Sequence, residues 1–174
     1  MDGERGGRKV RRVSNLVLAV VWASGLALAA GGDDREDVIN TVKGYVLGFY
    51  EGDAARLDRV LDPTLRKLGW WRDSADKPYG GPYTMTQEEA KVFAPKFAKS
   101  GDNKGPEGHL VVTVFEVLDK TASVKVEATW GIDYLHLAKL DGEWKILNVI
   151  WQSYPDAGSY TPLRAHETVL DLVC

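Results

Sequence analysis

From His109 to Tyr154 apolar residues recur at every second position, and two turn signals, Asp119-Lys120 and Asp141-Gly142, break the run. A period of two marks strands with one face in a core. Asp-Gly between two alternating runs is among the strongest short signals for a hairpin. The spacing therefore predicts an antiparallel meander: a strand over 109–118, a long strand over 121–140 and a strand over 143–154. A sheet with one greasy face must be covered, so whatever precedes the meander has to supply the cover.

The preceding residues supply it as helices. Val38, Val42, Tyr45 and Phe49 are spaced for one face of a helix over 33–52. Asp33 or Asp34 can cap it, and Glu36 and Asp37 suit the positive end of its dipole. Gly44 and Gly48 each cost about 1 kcal/mol relative to Ala in a helix, which points to close approach of another backbone. Gly52 stops this helix, and Asp53 can cap a short second helix through Leu61, which Pro63 ends. Residues 64–85 read as a loose β-hairpin or an irregular loop. Thr86 with Glu89 forms a capping box for a third helix, which Pro95 should kink or end. Residues 100–108 are a loop by composition, and a short helix is expected near Pro162. Helices first and a meander last make an α+β chain, with the N-terminal helices packed on the sheet.

The first thirty residues have the pattern of an export signal. Arg5, Arg8, Lys9, Arg11 and Arg12 precede an apolar run from Val13 to Ala30 that closes on Ala27-Leu28-Ala29, a small-x-small cleavage pattern. The expected organisation is a signal peptide over 1–30, cut after Ala29 or Ala30, a domain over 31–154 and a tail over 155–174. The alternative is an uncleaved membrane anchor. Without the leader, 17 basic and 23 acidic residues remain, a net charge near −6. That charge argues against nucleic acid as a partner. The single cysteine, Cys174, excludes an internal disulfide framework and a Cys-rich zinc site. It is left free or pairs between chains. His109, His136 and His166 lack metal-ligand spacing, so neither a metal nor a cofactor is expected.

The turns also set which residues face the core. A two-residue turn at 119–120 sets Val117 against Ala122, Phe115 against Val124 and Thr113 against Val126, with Val124, Val126, Ala128 and Trp130 on the core side. Counting back from Asp141-Gly142 sets Leu137 against Ile146, Leu135 against Asn148 and Asp133 against Ile150, an odd-numbered apolar side. The core parity switches between Trp130 and Asp133, which implies a bulge or bend at Gly131 and a strongly curved sheet. Asp133 and Asn148 then project into the hollow of the sheet. The alternative is a regular strand whose even face, with Tyr134 and His136 beside Trp151, meets a second subunit.

The run Val124-Lys-Val-Glu-Ala, then Asp133-Tyr-Leu-His-Leu-Ala-Lys, then Asp141-Gly-Glu-Trp-Lys-Ile-Leu-Asn, resembles the putative lumazine-binding family of nuclear-transport-factor-2-like (SnoaL-like) proteins. The upstream Tyr50-Glu-Gly-Asp, with Leu57 and Leu61-Asp-Pro, resembles the first helices of that family. The resemblance covers about residues 35–154. It implies three helices on a bent antiparallel sheet, a cone-shaped pocket and frequent dimerisation. The function expected on these grounds is an exported binder of an unknown small, flat or heteroaromatic molecule. The pocket candidates are Asp133, Asn148, Trp130, His109, Trp70 and Tyr45, and the homodimer-face candidates are Tyr134, His136 and Trp151. Two alternatives stand beside it: a cofactor-free isomerase, dehydratase or cyclase with Asp133 as general base, and a dimeric protein-interaction module.

Overall fold

The structure is a computed structural model that describes residues 33–100, 109–155 and, for the backbone, 170–171. The leader, the loop over 101–108, the helix expected near Pro162 and Cys174 lie outside the described residues. Three helices come first: α1 (Asp34–Glu51), α2 (Ala54–Val60) and α3 (Gln87–Ser100). The strands are β1 (Leu61–Trp71), β2 (Gly80–Met85), β3 (Leu110–Val117), β4 (Thr121–Ala128), β5 (Gly131–Leu140), β6 (Glu143–Gln152) and β7 (Leu170–Asp171). They form one curved, open sheet in the order β2-β1-β6-β5-β4-β3-β7.

Local chemistry sets the ends of these elements. The Asp33 carboxylate accepts from the Arg35 N–H at the start of α1, and the Asp53 carboxylate accepts from the Arg56 N–H at the start of α2. Glu89 accepts from the Thr86 N–H at 2.8 Å, and the Thr86 hydroxyl accepts from the Glu89 N–H at 3.3 Å, a complete capping box. Asp141 and Gly142 both have positive φ, 49° and 89°, as the tight β5–β6 turn requires. Pro95 does not end α3, which runs on to Ser100. At Gly44 and Gly48 side chains approach more closely than any other backbone, of which only the Asp53 carbonyl comes within 3.5 Å of a Cβ on Gly48. Side chains of α2 pack there: a Cβ on Gly44 would lie 2.9 Å from Val60 Cγ1, and one on Gly48 2.6 Å from Leu57 Cδ2.

The sheet departs from the predicted meander in three ways. The long strand over 121–140 is two strands: β4 and β5 pair antiparallel from Thr121↔Ala138 to Ala128↔Gly131, around a turn at Thr129 and Trp130. The core parity switches there because the chain reverses, not because one strand bends at Gly131. Second, residues 61–71 form a strand that pairs in parallel with β6 and antiparallel with β2, so the sheet is mixed rather than antiparallel throughout. Third, within β3–β6 register slips occur at two places that carry no turn signal. Between Glu116 and Val114 the β3–β4 register shifts past Phe115, so Val114 and not Phe115 lies against Val124. Between Leu137 and His136 the β5–β6 register shifts past Leu147. Each slip exchanges inside for outside along the rest of its strand.

The helices cover one face of the sheet. Val38, Val42, Val46 and Leu57 are buried there against Val112, Val124, Val126, Leu135, Ile146 and Val149. The opposite face carries Phe115 and Tyr134, exposed and stacked with ring centroids 6.5 Å apart.

Candidate functional site

A cluster of polar side chains lies inside this apolar layer. Tyr45 comes from the buried face of α1, Lys67 from β1, Trp130 from the β4–β5 turn and Asp133 from β5. Asp133 is fully buried, and Lys67 is 7% exposed. The Tyr45 hydroxyl donates to Asp133 Oδ2 at 2.6 Å. Lys67 Nζ donates to the Tyr45 oxygen at 2.7 Å and to Asp133 Oδ2 at 3.3 Å. Trp130 Nε1 donates to Asp133 Oδ1 at 2.8 Å. Both carboxylate oxygens are therefore satisfied by side chains from three other elements, as a buried acid requires.

Aromatic rings surround the cluster. Lys67 Nζ lies 5.0 Å from the ring centroid of Trp151, 5.4 Å from that of Tyr45 and 6.0 Å from that of Phe49, within cation–π range. Gly69 makes room for this: any side chain there would run into the Trp151 indole. Trp130 meets Phe49, Tyr50 and Phe97 edge to face, with centroids 5.5–5.7 Å apart. Beyond them Val92 and Phe93 of α3 are exposed.

Burial sets the proton affinities. It pushes the Tyr45 phenol well above its ordinary range, and the charge of Asp133 beside it adds to the effect. Burial pulls Lys67 below the ordinary lysine value, and Asp133 offsets part of that. Tyr45 thus stays a donor where exposed tyrosines ionise. Its raised folded value contributes stability that is complete below the unfolded value of about 10 and is lost as pH rises through the folded one. In an alkaline titration followed by tyrosinate absorbance, a late step is expected that shrinks in Tyr45→Phe. A variant curve superimposable on the parent would contradict this placement.

Among the residues singled out from sequence, Asp133, Trp130 and Tyr45 come together in the cluster. Asn148 does not join them. The slip at Leu147 turns it to the outer face, where its Nδ2 lies 3.3 Å from His136 Nδ1. The same slip turns Trp151 inward over Lys67, away from Tyr134 and His136, so it is not part of their face. Trp70 follows the inward-facing Gly69 on β1, opposite Gln152, and alternation turns it to the other side of the strand. The His109 ring meets Tyr154, with Nε2 3.0 Å from the hydroxyl. Only its backbone approaches the cluster, through Tyr50, whose hydroxyl donates to the His109 carbonyl at 2.7 Å and accepts from the Thr129 N–H at 2.8 Å. Lys67 is the residue that sequence reading missed. In Leu65-Arg66-Lys67-Leu68-Gly69-Trp70 the even positions hold Leu68 and Trp70, so periodicity favours the wrong face. Only the parallel pairing with β6 turns Lys67 inward.

A separate cavity of about 340 Å³ opens on the outer face, lined by Glu116, Ser123, His136, Leu137 and Leu147 among others. No group of three or more His, Cys, Asp or Glu side chains among the described residues is arranged to hold a metal ion.

A family model described as putative lumazine-binding matches residues 33–152. No functionally curated protein matches the chain. Among solved structures, a nuclear-transport-factor-2-like protein of unknown function from Silicibacter pomeroyi superposes with a TM-score of 0.51 at 16% identity, over 68% of this chain and 94% of that one. A nuclear-transport-factor-2-like protein of unknown function from Methylobacillus flagellatus gives 0.49 at 19% identity, over 75% and 99%. At such identities the likeness concerns the fold alone.

Proposed function

Because this chain belongs to the putative lumazine-binding family of nuclear-transport-factor-2-like proteins, we propose that it is an exported small-molecule-binding protein. It holds a flat, partly polar ligand against Tyr45, Lys67, Trp130 and Asp133 without turning it over. The observation that carries this reading is the buried Lys67–Asp133 pair, ringed by the faces of Tyr45, Phe49 and Trp151. A buried ion pair is weak support for stability, since apolar residues of similar size commonly serve as well or better. Polar groups converging among aromatic rings are what a binding site needs to orient a flat molecule. The basic leader with its Ala27-Leu28-Ala29 ending supports export. The exposed Phe115–Tyr134 stack supports a homodimer formed through the outer face.

A catalytic reading with Asp133 as general base has less support from the geometry. Oδ2 already accepts from Tyr45 and Lys67, and Oδ1 from Trp130. A base needs a lone pair within reach of the proton that it removes.

Native mass spectrometry of the protein purified from its own cell envelope tests these points together. The expected result is a chain starting at residue 30 or 31, a dimer and a retained small molecule. Lumazine should also quench tryptophan fluorescence saturably, with the quenching reduced in Trp130→Phe. An intact leader on a monomer that neither retains a ligand nor responds to lumazine would overturn the reading.

A further inference from the structure

We propose that Lys67 captures the carbonyl group of a flat, conjugated aldehyde or ketone as a reversible imine, with Asp133 and Tyr45 moving the protons. The inference rests on the small-molecule reading above and names the ligand class. Three groups carry it, and they are already in contact. The Lys67 amine is nucleophilic once neutral. Asp133 Oδ2, 3.3 Å away, is placed to accept its proton. The Tyr45 hydroxyl, 2.7 Å from Nζ and 2.6 Å from Oδ2, bridges amine and acid. Removal of a lysine from water favours its neutral form, and burial shifts Lys67 in that direction. The rings of Trp151, Phe49 and Tyr45 pack around Nζ and keep bulk water from it, which favours the condensation, and their π faces suit a conjugated carbonyl.

The step balances without a metal or an oxidant. The ammonium of Lys67 gives one proton to Asp133, and the freed electron pair on Nζ forms a bond to the carbonyl carbon. After a proton passes from nitrogen to oxygen, the carbinolamine stands beside Tyr45. Tyr45 gives its proton to the carbinolamine hydroxyl and takes the one held by Asp133. The C–O bond breaks, water leaves, and the nitrogen pair closes the C=N bond. The product is a protonated imine next to a restored carboxylate, the same charge arrangement as the starting pair. Addition of water runs the sequence backward and releases the ligand unchanged.

Reductive trapping tests this. The full chain is treated at neutral pH with 2-naphthaldehyde and sodium cyanoborohydride, and the adducts are located by peptide mass mapping. Of the twelve lysines in the sequence, Lys67 is expected to be alkylated roughly tenfold faster than the average of the others, because among the described lysines it alone is buried. Lys67→Arg should remove that fast adduct. Tyr45→Phe, which keeps the ring, should slow it while labelling elsewhere is unchanged, and an unchanged circular-dichroism spectrum would show that each variant folds. Labelling that simply follows exposure, or a Lys67 rate indifferent to Tyr45→Phe, would overturn the inference. Lumazine carries no aldehyde, so its quenching is read in parallel. Quenching without a Lys67 adduct removes imine capture and leaves the binding reading standing. Loss of both removes the two together.

Discussion

Asp133→Asn is expected to destabilise the protein by about 3–5 kcal/mol near neutral pH, the usual loss when one partner of a buried ion pair is removed. The native protein neutralises Lys67 with a fully buried carboxylate. An amide leaves the lysine to choose between an uncompensated charge and the loss of its proton. It should lose the proton, because isolated charges are not sustained in such a site. Lys67 then binds fewer protons in the folded chain than in the unfolded one, so stability rises with pH. The deficit should shrink by about 1.4 kcal/mol per pH unit between the depressed folded value and the unfolded lysine value near 10.4. The double variant Asp133→Asn/Lys67→Met should recover much of the loss, since no charge remains to be buried. Urea unfolding at several pH values separates these outcomes. A pH-independent deficit, or a double variant as weak as the single, would mean that the pair is not coupled as its geometry implies.

Gly131→Ala should be comparably severe, about 3–5 kcal/mol, because backbone strain and overpacking act at one position. Gly131 has a φ of 140°, which L side chains rarely adopt, and an added Cβ would lie 2.7 Å from Ser153 Cα and still closer to the Gln152 carbonyl oxygen. The residue opens β5 immediately after Trp130, so relief of the clash must move the indole that donates to Asp133. A change in tryptophan emission should therefore accompany the loss of stability. Gly142→Ala is the control. Its φ is also positive, at 89°, but nothing lies within 4 Å of the added atom, so only the strain of about 1–3 kcal/mol applies. Equal effects at the two positions would show that close packing at Gly131 contributes nothing.

The helices and the two tight turns on either side of the β4–β5 hairpin were legible because their signals are local. The Thr86–Glu89 box, the Asp53 cap and the Asp141-Gly142 turn each involve residues no more than a few positions apart, and each carries out the role its chemistry suggests. The core face of β4 was equally legible: Val124, Val126 and Ala128 are all completely buried. Counting across strands was sound only as far as the first slip. From the Asp141-Gly142 turn it holds through Leu137↔Ile146 and fails one residue later. On β3 it holds through Glu116↔Ser123 and then misplaces Phe115, which is 45% exposed. Neither Phe115 nor Leu147 is a residue type that announces a bulge, so alternation alone gave no warning. In the sequence the reversal at Thr129-Trp130 has the pattern of a bend, because strict alternation on both sides also suits one continuous strand.

By itself, the sequence determined that helices precede a meander, the α+β class and the presence of Asp133 on the buried side of its strand, because helix periods, caps and hairpin turns are decided by neighbours along the chain. The tertiary structure alone decided which groups meet that acid. Tyr45 is 88 positions away and Lys67 is 66, and their contacts depend on how α1 and the parallel strand β1 are laid on the sheet. The same slip of one residue at Leu147 sends Asn148 outward and brings Trp151 over the lysine. A strand exchanges its two faces with every single-residue shift, and the shift is set by packing against distant partners.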